Sequence, residues 1–123
     1  MKQASPRHMT IDQLVQHFAD IALEQDEALL MNDIAEVNRL FWQLEEVEAE
    51  LKLREGDQRR ALLGLYDHPN MQVRLKAVKA TLAVAPDMAR RALQAIAESR
   101  EYPQAGEAGM SIRALDRGVF KPT

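Results

Sequence analysis

Apolar residues recur at helical spacing along most of the chain, and no segment shows the alternation of a half-buried strand. Ile11, Leu14, Val15, Phe18, Ile21, Ala22 and Leu29 form one stripe, with His17, Asp20 and Glu24 on the opposite face. Thr10 and Gln13 before it have the form of a capping box. This predicts a first helix from Thr10 to Leu30 or Met31. Asn32 or Asp33 can cap a second helix. Its main stripe is Ile34, Val37, Leu40, Phe41, Leu44, Val47 and Leu51; a weaker one, Ala35, Trp42, Ala49 and Leu53, runs along the other side. Gly56 suits the left-handed residue that closes such a helix. Asp57 can cap a short third helix to about Tyr66. Asp67-His68-Pro69-Asn70 reads as a turn. A fourth helix runs from Met71 to Ala85, and Pro86 suits the first turn of a fifth, to about Ser99. Tyr102-Pro103 breaks the pattern, Gly106-Glu107-Ala108-Gly109 reads as a turn, and a last helix covers Glu107 to Arg117.

The fourth helix is unusual for a chain this short. At 100° per residue, Val73, Ala77, Ala80 and Val84 fall on one side, and Met71, Leu75, Val78 and Leu82 on another, roughly 150° away. Gln72, Lys76 and Lys79 share the narrow polar strip that is left. A helix apolar nearly all round is a buried one, and stacked helical repeats bury their inner helices in this way. Asp67, Val73-Arg74, Ala77, Ala80 and Leu82 resemble a HEAT-repeat helix, complete in one unit, Gly56 to Ala85. That resemblance implies a structural pairing of Asp67 with Arg74. The order GDQRRALLGLYDHPNMQVRLKA, then YPQAGEAGMSIRAL, resembles a small bacterial family of HEAT-like domains of unknown function (DUF twenty-nineteen), over residues 10 to 120. It implies a fold and no established activity.

At 123 residues the chain is long enough for one domain with its own core. It has no cysteine, which excludes disulfides, thiolate metal sites and cysteine nucleophiles and suits a reducing compartment. The N-terminal MKQASPRHM is followed by no apolar run, so no signal peptide is expected. The net charge of −3 hides an asymmetry: residues 1–56 carry 12 acids and 5 bases, and residues 57–123 carry 7 acids and 11 bases. Two halves that attract each other, or a polar binding surface, would each account for it.

The residues offer little for catalysis. The three serines, Ser5, Ser99 and Ser111, lie outside any Gly-x-Ser-x-Gly elbow. His17, Asp20 and Glu24 share a helix face but oppose the apolar stripe, so they read as a solvated face rather than a metal site. Glu45, Glu46, Glu48 and Glu50 point around the second helix, Glu48 and Glu50 have Lys52 and Arg54 at i+4, and no Glu-x-x-His motif occurs. His68 fits a bend. Trp42 reads as core, with an interface anchor as its functional alternative.

The expected fold is all-α: a short, right-handed HEAT/armadillo-like stack of five to six helices, with a flexible leader at 1–9, a single domain over 10–118, a tail at 119–123, and the first two helices as an N-terminal cap. The expected role is a non-catalytic protein–protein interaction module in the bacterial cytoplasm, with no cofactor, no metal and no membrane. Its partner is a protein, with a homodimer as one form. The surface residues expected to meet it are Lys76, Lys79, Arg90, Arg91 and Trp42. An immunity-type inhibitor of a toxin is the alternative, followed by a weak nucleic-acid binder using the bases of the C-terminal half.

Overall fold

A computed structural model describes residues 5–123. Its elements are all helical, and no strand occurs among the described residues. Five α-helices follow in order: α1 (Ile11–Leu30), α2 (Ile34–Leu53), α3 (Met71–Ala80), α4 (Pro86–Glu98) and α5 (Gln104–Asp116). Two 3₁₀ segments, Pro6–His8 and Gln58–Asp67, complete the list. The chain divides into two compact units, the first ending at Ala61 and the second running from Leu62 to Thr123, where the sequence reading has one domain over 10–118.

The first unit is a hairpin of α1 and α2. The capping box forms: Gln13 N–H donates to Thr10 Oγ1 (3.1 Å), and Thr10 N–H to Gln13 Oε1 (2.9 Å). At the turn Asn32 takes a left-handed φ of 56°, and Asp33 caps α2 by accepting from Glu36 N–H (3.1 Å). Leu14, Phe18, Ile21 and Ala22 of α1 are buried, as are Leu40, Leu44, Val47 and Leu51 of α2. Gln25 is buried as well, and its Nε2 donates to the Val37 carbonyl, so the core keeps no stranded amide there. Ile34 and Phe41, expected in the same stripe, are exposed. Phe41 lies about 90° from the centre of the buried arc on the helical wheel, beyond what α1 covers.

The leader is not wholly loose. Residues 1–4 lie outside the described residues, but the 3₁₀ turn at Pro6–His8 is tied to the end of α2. The Arg54 guanidinium donates to the Met9 carbonyl (2.8 Å) and the Pro6 carbonyl (3.3 Å), and also pairs with Glu50.

Gln58–Asp67 is a 3₁₀ segment rather than the expected α-helix. Gly56 (φ 77°) and Asp57 (φ 53°) both sit in the left-handed region. The Asp57 carboxylate turns back on the buried Arg59, accepting from Nε (2.9 Å), Nη2 (2.7 Å) and the backbone N–H (3.3 Å). Gly64 further weakens an α-helical alternative by roughly 1 kcal/mol.

In the second unit α4 and α5 form a hairpin, and α3 packs on both. Asn70 caps α3 through Val73 N–H (3.1 Å), and His68 Nδ1 accepts from Asn70 N–H (3.0 Å), which fixes the bend. α3 ends at Ala80, not Ala85. Thr81 is fully buried, and its hydroxyl donates back to the Ala77 carbonyl (2.9 Å), a bond that competes with helix continuation. Both stripes of α3 are buried: Val73, Ala77 and Ala80 on one side, Leu75 and Val78 on the other. Leu75, Val78 and Leu82 join Ala89, Leu93 and Ile96 of α4 and Ala108 and Ile112 of α5 in one core. α5 begins at Gln104, three residues before the expected start, so Gly106–Gly109 is helix and not turn. Burial of Ala105 and Ala108 offsets the roughly 1 kcal/mol that each helical glycine costs.

The burial pattern sets a stability contrast. Leu75→Ala, at a fully buried position, is expected to lower unfolding free energy by about 2–5 kcal/mol. Leu53→Ala, at 83% exposure, should change it by less than about 0.5 kcal/mol. Urea titrations followed by circular dichroism measure both.

Candidate functional site

On α2 the weaker stripe faces outward. Ala35, Trp42, Ala49 and Leu53 recur at seven-, seven- and four-residue steps, which keeps them on one line of the helix. All four are exposed, Trp42 at 69% and Leu53 at 83%. Trp42 is therefore not core: the α1–α2 contact uses the opposite side of the helix. The Phe41 ring meets the indole edge-on, with centroids 5.2 Å apart and planes at 79°. Such a pair favours the T-shaped arrangement and limits the rotamers open to the indole. The exposed Arg39 and Glu46 lie along the same line, and Arg39 pairs with Glu36 on its own helix.

The expected basic surface is built differently. Lys76 and Lys79 both donate to Glu107 Oε2 of α5, at 3.2 and 2.9 Å. One turn away, buried Gln104 of α5 donates through Nε2 to Oε1 of buried Gln72 (2.9 Å). The polar strip of α3 is thus a seam with α5, not an open face. Burial pushes the Glu107 carboxyl up, but the two lysines together outweigh it and hold it below its ordinary 4.5. Arg90 pairs with Asp116 (2.7 Å) at an exposed position, and Arg91 is exposed on α4. Lys76, Lys79 and Arg90 all find their acids within the C-terminal half, which still keeps its excess of 11 bases over 7 acids.

Asp67 and Arg74 do not pair as the HEAT resemblance implies. Asp67 is exposed, while Arg74 is partly buried and its Nε lacks a hydrogen-bond partner. His17, Asp20 and Glu24 do not converge: among the described residues no three His, Asp or Glu side chains are grouped to hold a metal ion. No helix among the described residues is long and apolar enough to cross a membrane.

Residues 12–116 match the family described as Domain of unknown function (DUF2019). The chain belongs to that family. The crystal structure of the protein RPA1889 from Rhodopseudomonas palustris CGA009 is similar to this DUF2019 chain. The two are 54% identical, the match covers 98% of this chain and 100% of that chain, and the TM-score is 0.94. No functionally curated protein matches.

One titrating group of the DUF2019 chain was not visible in its sequence. Glu48 of α2 is pushed up to about 7, first by burial and then by Glu45, against the weaker pull of Arg59 and Lys52. The i+4 lysine suggests an ordinary surface pair; only the packing of the helix reveals the desolvation.

Glu48 and Glu107 bias stability with opposite signs. The folded chain keeps the Glu48 proton to about 7 and the unfolded chain releases it near 4.5, so stability falls as pH rises through that window. Glu107 has a lowered folded value, so its contribution is present above 4.5 and is lost as pH falls through the folded value. Glu48→Gln is expected to raise stability at pH 8 by about 1 kcal/mol, allowing for solvent screening, and to leave it little changed at pH 5. Urea midpoints at the two pH values check this.

Proposed function

We propose that the chain is a non-catalytic protein-interaction module of HEAT-like type, and that the outward face of α2 is its docking surface. The observation that carries this is Trp42, 69% exposed in a line with Ala35, Ala49 and Leu53. Tryptophan is enriched among the residues that dominate binding energy. The indole braced by Phe41 loses little freedom on binding. The partner this face fits is an amphipathic helix with an apolar stripe and basic flanks. The excess of 12 acids over 5 bases in residues 1–56 would speed its approach. The burial of both α3 stripes supports the HEAT-like reading, and likeness to a Rhodopseudomonas palustris protein supports a bacterial setting. A cytoplasmic address belongs to the same reading and rests on the cysteine-free composition.

The test is affinity capture from the native host with three baits: wild type, Trp42→Ala and Arg91→Ala. A protein held by wild type and Arg91→Ala but lost with Trp42→Ala is expected. Its affinity for purified Trp42→Ala should fall about 30-fold or more, with folding stability changed by less than about 0.5 kcal/mol. Equal capture by wild type and Trp42→Ala would overturn the reading.

A further inference from the structure

Within the second unit an open groove of about 420 Å³ runs between α4 and α5. Gln94 and Glu98 of α4 line it, with Gly106, Gly109 and Arg113 of α5 and Tyr102 just before α5. Its two charges are open. Arg113 is exposed, and its side chain forms no hydrogen bond or ion pair among the described residues. Its Nη1 lies 3.7 Å from where a Cβ on Gly109 would stand, which sets the guanidinium against that glycine. Glu98 is exposed and accepts only from Gln94 Nε2 (3.3 Å) of its own helix, leaving carboxylate lone pairs to spare. The Tyr102 ring stands over Gly106, 3.8 Å from its would-be Cβ. Neither glycine is demanded by packing within the chain: alanine would meet ordinary contacts at both places and favour the helix.

The Arg90–Asp116 pair gives the register of the α4–α5 hairpin. Counting back from it, Glu98 is level with Ala108, and Arg113 lies about 8 Å further along α5. That offset keeps the two charges apart within one chain, yet both face the same groove. One face thus carries a cation without an acid and an acid without a cation. We propose that a second copy of this chain docks on the α4–α5 groove, each copy's Arg113 entering the other's groove between Glu98 and Tyr102. An antiparallel second α5 that crosses between Gly109 and Met110 sets Arg113 of each copy opposite Gly106 of the other. There a guanidinium can fork onto the Glu98 carboxylate and stack on the Tyr102 ring. Two-fold symmetry makes the contact twice. The face from Tyr102 to Arg113 is about 17 Å long, which fits a small and weak interface. The α2 surface has no part in it.

Sedimentation velocity of the full chain from about 5 µM to about 1 mM tests this, and wild type is expected to pass from monomer to dimer over that range. Arg113→Glu and Glu98→Arg, each alone, should weaken self-association about tenfold or more, because like charges then meet twice. An equimolar mixture of the two variants should restore association to about the wild-type level, because the mixed pair regains both contacts. Gly109→Leu should raise the thermal midpoint yet weaken the dimer about tenfold or more, a combination that damage to the fold does not produce. It keeps the test decisive if either charge reversal fails to fold. A monomer throughout, a dimer indifferent to both reversals, or folded variants whose mixture stays monomeric would overturn the proposal. A dimer lost with Trp42→Ala but kept by both reversals would overturn it in favour of the α2 face.

Discussion

The second unit depends on the enclosure of α3. This helix is ten residues long, short enough to be marginal alone in water. Tertiary packing must hold it, and the packing is of two kinds. Leu75, Val78 and Leu82 enter the core with α4, while Gln72, Lys76 and Lys79 meet Gln104 and Glu107 of α5. The polar side is as constrained as the apolar one. A carboxylate drawn out of water needs compensating charge, and two lysines on one helix face, three residues apart, supply it to Glu107. The seam fixes which face α3 turns to α5, because a rotation would separate both the amide pair and the lysine–glutamate contacts at once.

That enclosure explains what could be read from the residues and what could not. Caps and stripes are local, and they were legible: the Thr10–Gln13 box, the Asp33 cap, Pro86 at the start of α4 and the two apolar sides of α3. The misread positions depend on partners distant in sequence or on competing local bonds. Lys76 and Lys79 look like solvated bases until Glu107 is placed beside them, 31 and 28 residues away. Thr81 carries no obvious stop signal, yet its back-bond to Ala77 and its burial beside Tyr66 end the helix five residues early. Gly106 and Gly109 mimic a turn by composition, and only the burial of Gln104, Ala105 and Ala108 shows that α5 already runs there.

Both units bury polar groups and expose apolar ones, Gln25 and Arg59 being buried in the first and Tyr102 and Met110 exposed in the second. The second unit buries polarity: Gln72, Gln104 and Thr81 are all inside and hydrogen-bonded. The first exposes hydrophobicity along α2, where Trp42 and Leu53 stand in water. Buried and satisfied polar groups specify an arrangement more sharply than they stabilise it, because misaligned alternatives leave them unpaired. Exposed apolar groups do the reverse: they add nothing to the fold and lower its solubility.

Scattered exposure would not support that argument, since single surface leucines are ordinary. Three features separate α2 from scatter. Its apolar residues keep to one line over nearly the full length of a 20-residue helix, from Ala35 to Leu53. The one large ring has alanine a heptad away on each side, with Arg39 and Glu46 between them on the same line. And Phe41, 38% exposed, meets that indole edge-on instead of filling the hairpin core. In the proposed reading the aromatic pair is the anchor that a partner helix would cover.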